Sequence, residues 1–205
     1  MGKLDGKITI ITGGATGIGR GISQAFASEG ATVIIASRRT EVLERAAVEF
    51  RSHGGTVEIC PTDVTDEAQV TRLFDQTVEE FGRVDVTINN AGVEEGGPLH
   101  ELPLEIWQRV LAVNLTGVFL CCREAMRVMM PRGTGRIINI GSTAAQMPRP
   151  NASAYAASKF GVVGLTHSAA IEGRNHGVAV SCLHPGNVDI ETRGWGRHHR
   201  GVRNS

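Results

Sequence analysis

A tyrosine, a lysine and a serine in the later part of the chain have the residue types and the spacing for acid–base chemistry. Tyr155 and Lys159 lie four residues apart, one turn from each other on one face of a predicted helix. Ser142 follows the apolar run 136–141, which is typical of a buried parallel strand. A free tyrosine has a pKa of about 10, and a nearby cation favours the phenolate and moves that pKa toward neutrality. A serine hydroxyl beside the phenol can hydrogen-bond a substrate carbonyl oxygen.

The same residues also fit a plainer interpretation, in which Tyr155 is a surface residue, Lys159 is its i+4 neighbour and Ser142 belongs to a turn. Composition favours the chemical interpretation, because the chain has one tyrosine and its only lysines are Lys3, Lys7 and Lys159. Short motifs nevertheless produce many chance matches. The pattern therefore needs support from the elements that would position it.

Length and composition indicate one ordinary globular domain. The chain has 205 residues, of which 41% are hydrophobic and 20% are charged, so a disordered chain is not expected. Basic and acidic residues both number 21, which favours neither a nucleic-acid nor a membrane partner. The four cysteines lie in apolar segments without metal-ligand spacing and are interpreted as buried free thiols. The polar amino terminus, and the lack of an apolar run near the ~18 residues of a membrane span, predict a cytoplasmic protein.

The first glycine-rich turn predicts a phosphate-binding site. Residues 8–12 form a β-branched strand, and Gly13, Gly17 and Gly19 follow it before a helical pattern begins. Glycines let the backbone approach a pyrophosphate, and the helix amino terminus offers free N–H groups and the positive end of its dipole. The spacing is GxxxGxG rather than GxGxxG, and glycines needed only for helix packing are the alternative.

The end of the second predicted strand, residues 32–36, bears on the choice of nucleotide. In dinucleotide-binding folds an acidic residue at this place binds the adenosine ribose diol. Here Ser37 is followed by Arg38 and Arg39. A small neutral residue leaves room for a 2′-phosphate, which Arg38 can bind through two hydrogen bonds. We therefore predict NADP(H) in preference to NAD(H); the alternative is an exposed arginine pair at the start of a helix.

The remaining pattern predicts an α/β fold, a single doubly wound Rossmann-type parallel sheet of about six strands flanked by helices. Helices are predicted over 41–52, from a Thr65 cap to Phe81, over 104–130 and from Tyr155 to about 175, and further strands over 57–60, 84–88, 136–141 and 177–183. Ligands of such sheets bind outside the carboxyl ends of the strands. The candidate residues fall at those ends or on the helices that follow.

Several polar residues keep two interpretations each. Asp63 can accept a hydrogen bond from an adenine amino group or cap its own turn. Asn114, inside a predicted helix where asparagine is mildly unfavourable, can hold a water in the site or bond a neighbouring backbone group. Asn89 and Asn90 tolerate tight geometry at a strand end and can satisfy loop amides. The polar, glycine-rich loop 93–98 after them can reach a substrate.

Taken in order, these motifs resemble those of the short-chain dehydrogenase/reductase family. The matching series, over about residues 3–188, is Thr12-Gly13-xxx-Gly17-x-Gly19, Asp63-Val64, Asn89-Asn90-Ala91-Gly92, the tetrad Asn114, Ser142, Tyr155 and Lys159, and Pro185-Gly186. The resemblance implies an NAD(P)-dependent oxidoreductase that moves hydride between the nicotinamide and a carbonyl or alcohol carbon. The cofactor carries the redox chemistry and the protein positions it.

The resemblance also implies residue roles. Ser142 and Tyr155 would hold the substrate oxygen, Tyr155 would pass the proton, Lys159 would bind the nicotinamide ribose and lower the phenol pKa, and Asn114 would hold a water on the proton path. Cofactor contacts are expected at Gly13, Gly17, Ile18, Gly19, Ser37, Arg38, Asp63, Val64, Asn90, Ala91, Gly92, Tyr155, Lys159, Pro185, Gly186 and Val188. The family commonly forms dimers and tetramers, and the apolar helices around Cys121 and after Tyr155 predict a homodimer or homotetramer.

The carboxyl-terminal part departs from the family pattern. Ile190 lies where the family often has a threonine near the carboxamide, and Thr192 comes later. Residues 193–205 lack helical or strand periodicity, so we expect a catalytic domain over 1–192, a disordered basic tail and no seventh strand. The pair His198-His199 has no further ligands nearby, and no metal site is predicted.

The chain thus resembles a C-terminally shortened member of the family, and three hypotheses remain. The first is an NADP-preferring carbonyl reductase or alcohol dehydrogenase. The second is a non-catalytic dinucleotide-binding protein that lacks the substrate lid. The third is a shortened chain that does not fold stably. None of the three identifies a substrate.

Overall fold

The fold is a six-stranded parallel sheet in a computed structural model that describes residues 2–188. Its strands are Ile8–Thr12 (β1), Thr32–Ser37 (β2), Thr56–Pro61 (β3), Val86–Asn89 (β4), Gly135–Ile140 (β5) and Val178–Leu183 (β6). The spatial order is β3-β2-β1-β4-β5-β6, and every neighbouring pair is parallel. The predicted doubly wound α/β fold is confirmed. The strand order reverses between β1 and β4, the switch point at which such sheets bind ligands.

Helices cover both faces of the sheet. They are Gly17–Ser28 (α1), Thr40–Ser52 (α2), Glu67–Phe81 (α3), Leu104–Leu111 (α4), Gly117–Met129 (α5) and Ser153–Arg174 (α6). Along β1, Ile10 belongs to the core cluster that contains Leu73 of α3 and Ala125 of α5, whereas Ile11 belongs to the cluster that contains Phe50 of α2. Because successive strand residues point to opposite faces, one strand of consecutive isoleucines contributes to both cores.

The cap of helix α3 lies one residue later than predicted. The cap is Asp66, whose Oδ1 accepts a hydrogen bond from the Gln69 backbone N–H at 3.1 Å. Thr65 instead donates its backbone N–H and its hydroxyl to Asp63 Oδ1. The prediction of Thr65 as the cap was wrong because a carboxylate accepts this bond at the positive end of the helix dipole, while Thr65 is used by the preceding turn.

A π-helical turn interrupts the helical region that was predicted over 104–130. This turn, Ala112–Thr116, separates α4 from α5, and Asn114 is fully buried within it. Helix α4 contacts α6, whereas α5 contacts α3. Such turns are rare and occur frequently at functional sites. The turn gives Asn114 a place that a regular helix would not.

The cysteines and the longest apolar run are parts of this core. All four cysteines, which lie within the described residues, are free thiols as predicted, although Cys60 and Cys182 are only partly buried. Burial raises the pKa of the Cys122 thiol to about 11. By length and composition alone, the run Leu104–Arg132 is apolar enough to cross a membrane, contrary to the sequence-based expectation. The expectation considered only uninterrupted apolar stretches, whereas a mean hydropathy over 18 residues tolerates scattered polar residues; 33% of that window is buried inside the domain.

Within residues 2–188, β6 lies at one edge of the sheet. The predicted tail 193–205, together with Ile190, Thr192 and the pair His198-His199, lies outside the described residues. The domain boundary at residue 192 therefore stays a prediction.

Candidate active site

A cavity of about 640 Å³ opens at the carboxyl ends of the central strands. Its lining includes many of the predicted site residues: Gly13, Gly17, Ile18, Asn90, Ala91, Gly92, Ser142, Tyr155, Lys159, Pro185, Gly186 and Val188. It also includes Glu94, from the loop 93–98 that was predicted to reach a substrate, and four residues that were not predicted: Thr16, Thr143, Arg149 and Asn187. Residues that are far apart in the chain thus share one concave surface, the usual shape of a small-molecule site.

The glycine turn between β1 and α1 forms one wall of the cavity. Gly13 and Gly17 have φ angles of +66° and +53°, in the region that favours glycine. Gly19 does not line the cavity; a Cβ there would lie 2.2 Å from the Gly13 carbonyl oxygen and 2.4 Å from Asn90 Nδ2. The first two glycines therefore shape the turn, and Gly19 provides the packing that was the alternative interpretation. The amino terminus of α1 faces the cavity, as an anion-binding turn requires.

Thr12 and Asn90 join the glycine turn to the end of β4. The Thr12 hydroxyl accepts hydrogen bonds from the backbone N–H groups of Asn90 and Ala91 at 3.0 and 3.1 Å. The Asn90 side-chain amide donates to the carbonyl oxygens of Thr12 and Gly13. Asn90 thus satisfies carbonyl groups rather than the loop amides that the sequence suggested. These bonds hold the two strand ends that flank the topological switch point.

Ser142 follows β5 and begins a short 3₁₀ turn, Thr143–Ala145. Its Oγ accepts a hydrogen bond from the Ala144 backbone N–H at 3.1 Å. Since a hydroxyl both donates and accepts, this bond leaves the Ser142 proton available toward the cavity. The side chain is therefore oriented for a partner that accepts, such as a carbonyl oxygen.

Lys159 brings helix α6 to the end of β5. Its Nζ donates to the Ile140 carbonyl oxygen at 2.7 Å, and only 5% of the residue is exposed. The same Nζ lies 5.6 Å from the centre of the Tyr155 ring, a cation–π distance. Ile140 lies two residues before Ser142, so this bond places Ser142 and Tyr155 around the same cavity. The plainer interpretation of Tyr155 as an ordinary surface residue does not explain that convergence.

Desolvation lowers the pKa of the Lys159 ammonium to about 8, although charges on Cys182 and Glu94 oppose the shift. The group is still mostly protonated at neutral pH. A cation held at this depth beside an aromatic ring interacts more strongly than one in water, because the local dielectric is low.

We expect the stability contribution of Lys159 to improve as pH rises from about 8 to about 10.5. Its folded pKa of about 8 lies below the reference value of 10.5, so the unfolded chain binds more protons in that window. The free energy of unfolding must then increase with pH, by about 3 kcal/mol in total. Urea unfolding of the wild type and of Lys159→Met at stepped pH tests this, since the comparison cancels other titrating groups. A wild-type-minus-variant difference that stays constant over this window would contradict the burial of the ammonium.

Asn114 uses its side chain to hold the loop after β4. Its Oδ1 accepts from the Val93 backbone N–H at 2.8 Å, and its Nδ2 donates to the Val93 carbonyl oxygen and to Ser158 Oγ. Ser158 in turn donates to the Tyr155 carbonyl oxygen at 2.7 Å. Of the two interpretations of Asn114, the hydrogen bond to a neighbouring backbone group is the one that the structure contains. The residue does not line the cavity. A water on the proton path stays a prediction.

The residues predicted to contact adenosine lie outside the lining of the cavity. Asp63 Oδ1 accepts both donors of Thr65, which is the turn-capping alternative, and Val64 packs against Gly117. Ser37 ends β2, and Arg38 is exposed without a salt bridge to any residue that the structure describes. Their nucleotide contacts stay predictions.

A buried polar network beneath the site escaped the sequence analysis. Asn89 Nδ2 donates to Asn139 Oδ1 at 2.8 Å, and Asn139 Nδ2 donates to Thr166 Oγ1 at 2.9 Å. The network links β4, β5 and α6 below Ser142 and Lys159. Its one visible signal was the asparagine inside the apolar run 136–141. Buried amides bonded in this way fix the relative placement of the elements they join.

Comparisons with known proteins agree with this architecture. A family model described as short chain dehydrogenase matches residues 7–200. An uncharacterized oxidoreductase of Thermotoga maritima is 44% identical over 94% of this chain and 74% of its own length. D-threitol dehydrogenase of Mycolicibacterium smegmatis is 39% identical over 89% of this chain and 70% of its own length.

Solved structures show the same likeness. NAD⁺-bound xylitol dehydrogenase is 32% identical with a TM-score of 0.87, over 90% of this chain and 71% of that one. A variant of actinorhodin polyketide ketoreductase with NADPH is 36% identical with a TM-score of 0.89, over 93% of this chain and 74% of that one. Both nicotinamide cofactors therefore occur among similar proteins.

Proposed function

The chain belongs to the short-chain dehydrogenase/reductase family of oxidoreductases, and from that premise we propose that it interconverts a carbonyl compound and an alcohol by hydride transfer. One observation carries the proposal: Ser142, Tyr155 and Lys159 line the same cavity as the glycine turn at the amino terminus of α1. A proton donor, an oxygen-holding hydroxyl and an anion-binding turn are the parts that this reaction requires.

The residues present fit a dinucleotide. Gly13 and Gly17 line the cavity where α1 begins and carry no side chain, so their backbone is open to close approach by a pyrophosphate. Gly13, Gly17 and Ile18 would hold the pyrophosphate, and Lys159 with Pro185 and Gly186 would hold the nicotinamide half. When bound, the nicotinamide supplies or accepts the hydride.

The chain's own residues manage the substrate oxygen and its proton. Ser142 donates a hydrogen bond to that oxygen, since its own Oγ already accepts from Ala144. Tyr155 transfers its phenolic proton to the carbonyl oxygen in reduction and takes it back in oxidation. The Lys159 ammonium near the Tyr155 ring stabilises the phenolate that remains.

The test is a cofactor titration followed by a turnover panel. Binding of NADPH or NADH is followed by cofactor fluorescence, and turnover by absorbance with ketones, aldehydes and polyols such as threitol and xylitol. Turnover supports the proposal, and it excludes a non-catalytic dinucleotide-binding protein. Binding without turnover on any substrate supports that alternative instead. Cooperative unfolding with a midpoint that rises with NADPH excludes a chain that does not fold stably.

NADP(H) is the proposed preferred nucleotide, because Ser37 is small and Arg38 is exposed without a competing ion pair among the described residues. We expect Arg38→Gln to weaken NADPH binding about 10- to 100-fold and to leave NADH binding unchanged, since a charge-assisted bond is lost only with the 2′-phosphate.

Arg39→Gln is the matched control for Arg38→Gln. Arg39 is also exposed, and it occupies the cap position of α2 without a side-chain cap bond. Dissociation constants of both nucleotides are measured for both variants. Equal losses for NADPH and NADH in Arg38→Gln would contradict 2′-phosphate recognition.

We further propose a homodimer or homotetramer in the cytoplasm, without nucleic-acid or membrane partners. Helices α5 and α6 contact each other, and they expose Phe119, Phe160 and Ile171 to 44%, 50% and 63%. Exposed apolar side chains on adjacent helices favour a second copy of the chain as the partner. Light scattering that gives a monomeric mass would contradict the assembly, and a dimer dissociated by Phe160→Ser would support it.

A further inference from the structure

His184 lies directly after β6 and contacts the residue that the proposed mechanism uses to hold the substrate oxygen. Its Nδ1 lies 3.0 Å from the Ser142 carbonyl oxygen. Because a carbonyl oxygen only accepts, this hydrogen bond requires a proton on Nδ1. We infer that His184 is a positioning residue that fixes the turn carrying the Ser142 hydroxyl. The inference rests on the proposed function for the role of Ser142.

The junction between β5 and β6 shows how His184 complements the backbone. The Gly141 N–H donates to the Leu183 carbonyl at 2.8 Å, and the Thr143 N–H donates to the Pro185 carbonyl at 3.2 Å. Both bonds run from the β5 side to the β6 side. Pro185 has no N–H and can return no backbone bond, whereas the imidazole of His184 donates in the opposite direction, to the Ser142 carbonyl.

The Ser142 carbonyl accepts a second hydrogen bond, from the Ala145 backbone N–H at 3.0 Å. That bond closes the 3₁₀ turn but lies within it, so it does not connect the turn to another element. The His184 ring ties the same carbonyl to a neighbouring strand, 42 residues along the chain. Loss of the ring would therefore leave the turn intact and held to the β6 side only by the backbone bonds of Gly141 and Thr143, so that the Ser142 carbonyl could shift relative to Tyr155 and the cofactor site.

Gly141 makes room for the ring. A Cβ built at this position would lie 2.8 Å from His184 Nδ1 and 3.0 Å from its Cε1. Gly141 has no positive φ angle, so its backbone conformation does not by itself call for glycine. Close approach of the imidazole and of Cys182 means that a larger residue here would force one of these two side chains to move. This close packing is a second contact, besides the hydrogen bond, between the ends of β5 and β6.

His184 acts through Ser142 rather than on the substrate, because Ser142 lines the cavity and His184 does not. A role through the cofactor is the main rival, since the next residues, Pro185 and Gly186, line the same cavity. The two roles predict different results. Displacement of Ser142 lowers turnover at saturating cofactor, whereas displacement of Pro185 and Gly186 weakens cofactor binding.

Two variants separate the donor from the bulk of the ring. His184→Asn keeps a side-chain N–H, and His184→Leu keeps apolar bulk without a donor. We expect His184→Leu to lower kcat about tenfold at saturating cofactor, the effect of one lost hydrogen bond, with an unchanged dissociation constant for NADPH. His184→Asn should restore kcat to within about threefold of the wild type. Full turnover in His184→Leu, or a loss of NADPH affinity in step with kcat, would overturn the inference.

A second readout does not depend on turnover. Long-range proton–nitrogen NMR of the histidine rings reports which nitrogen carries the proton, and the His184 signals are assigned by their absence in His184→Asn. We expect His184 to carry a proton on Nδ1, and a ring protonated on Nε2 alone would overturn the inference. If the wild type turns over no substrate, the proposed function fails, while the ring protonation still decides whether His184 holds Ser142.

Discussion

Tyr155→Phe is expected to reduce turnover by about 1,000-fold or more, because general acid–base catalysis contributes on the order of 10²- to 10⁴-fold and no other phenol is present. NADPH should still bind with an unchanged dissociation constant. The substitution removes one oxygen and retains the ring beside which the Lys159 ammonium lies, 5.6 Å from the ring centre. The measurement is kcat on the best substrate of the panel, with NADPH titration on the same preparation.

The control is that the Tyr155→Phe variant still folds and binds NADPH. Its thermal midpoint and NADPH affinity should match the wild type, since Lys159 keeps its bond to the Ile140 carbonyl. Wild-type activity in this variant would end the assignment of Tyr155 as the acid–base group. A joint loss of activity and NADPH binding would instead show that the hydroxyl serves the cofactor.

Gly19→Ala is expected to weaken NADPH binding by about 100-fold or more, a free-energy loss of about 3 kcal/mol. The added methyl would lie 2.2 Å from the Gly13 carbonyl oxygen, far inside the contact distance of carbon and oxygen. Relief requires the glycine turn to open, and the turn is held by the Asn90 amide, itself only 2.4 Å from the same methyl. The pyrophosphate cradle would therefore lose its shape.

Gly21→Ala is the matched control on the same helix. A Cβ at Gly21 meets no atom within 4 Å. Alanine is the better helix former by about 0.8–1 kcal/mol, so this variant should bind NADPH normally and unfold at a higher temperature. Titration and thermal unfolding of both variants test the pair. Equal NADPH affinity in Gly19→Ala and Gly21→Ala would show that the turn does not bind the cofactor.

The sequence predicts the sheet well because its strands are short β-branched or apolar runs between polar or glycine-containing turns. The predicted strand 8–12 coincides with β1, and the predicted boundaries of the other strands differ from the observed ones by at most two residues. The cap of α3 moves from Thr65 to Asp66, a choice between two capping residues that only the competing bond to Asp63 decides. Local chemistry therefore predicts elements better than their ends.

The candidate site is predicted where its residues are ordered along the chain, and missed where they meet only in space. Ser142, Tyr155 and Lys159 follow from types and spacing, and they do converge on one cavity. Arg149 and Asn187 could not be paired from sequence, because their hydrogen bond at 2.6 Å joins two loops that no periodicity relates. The imidazole at position 184 is likewise visible as a residue type but not as a neighbour of Ser142.

The interrupted helix over residues 104–129 puts its two halves out of phase. Each residue of an α-helix advances about 100° around the axis, and a π turn accommodates one residue more than an α turn. A helical-wheel projection through the whole span would therefore misplace the contact faces of α5 relative to those of α4 by about 100°. A single-residue deletion in residues 112–116 would let the span close as a regular α-helix, in which α4 and α5 keep their faces but the wide turn around Asn114 is lost. The extra residue therefore serves the placement of Asn114 rather than the core packing of α5.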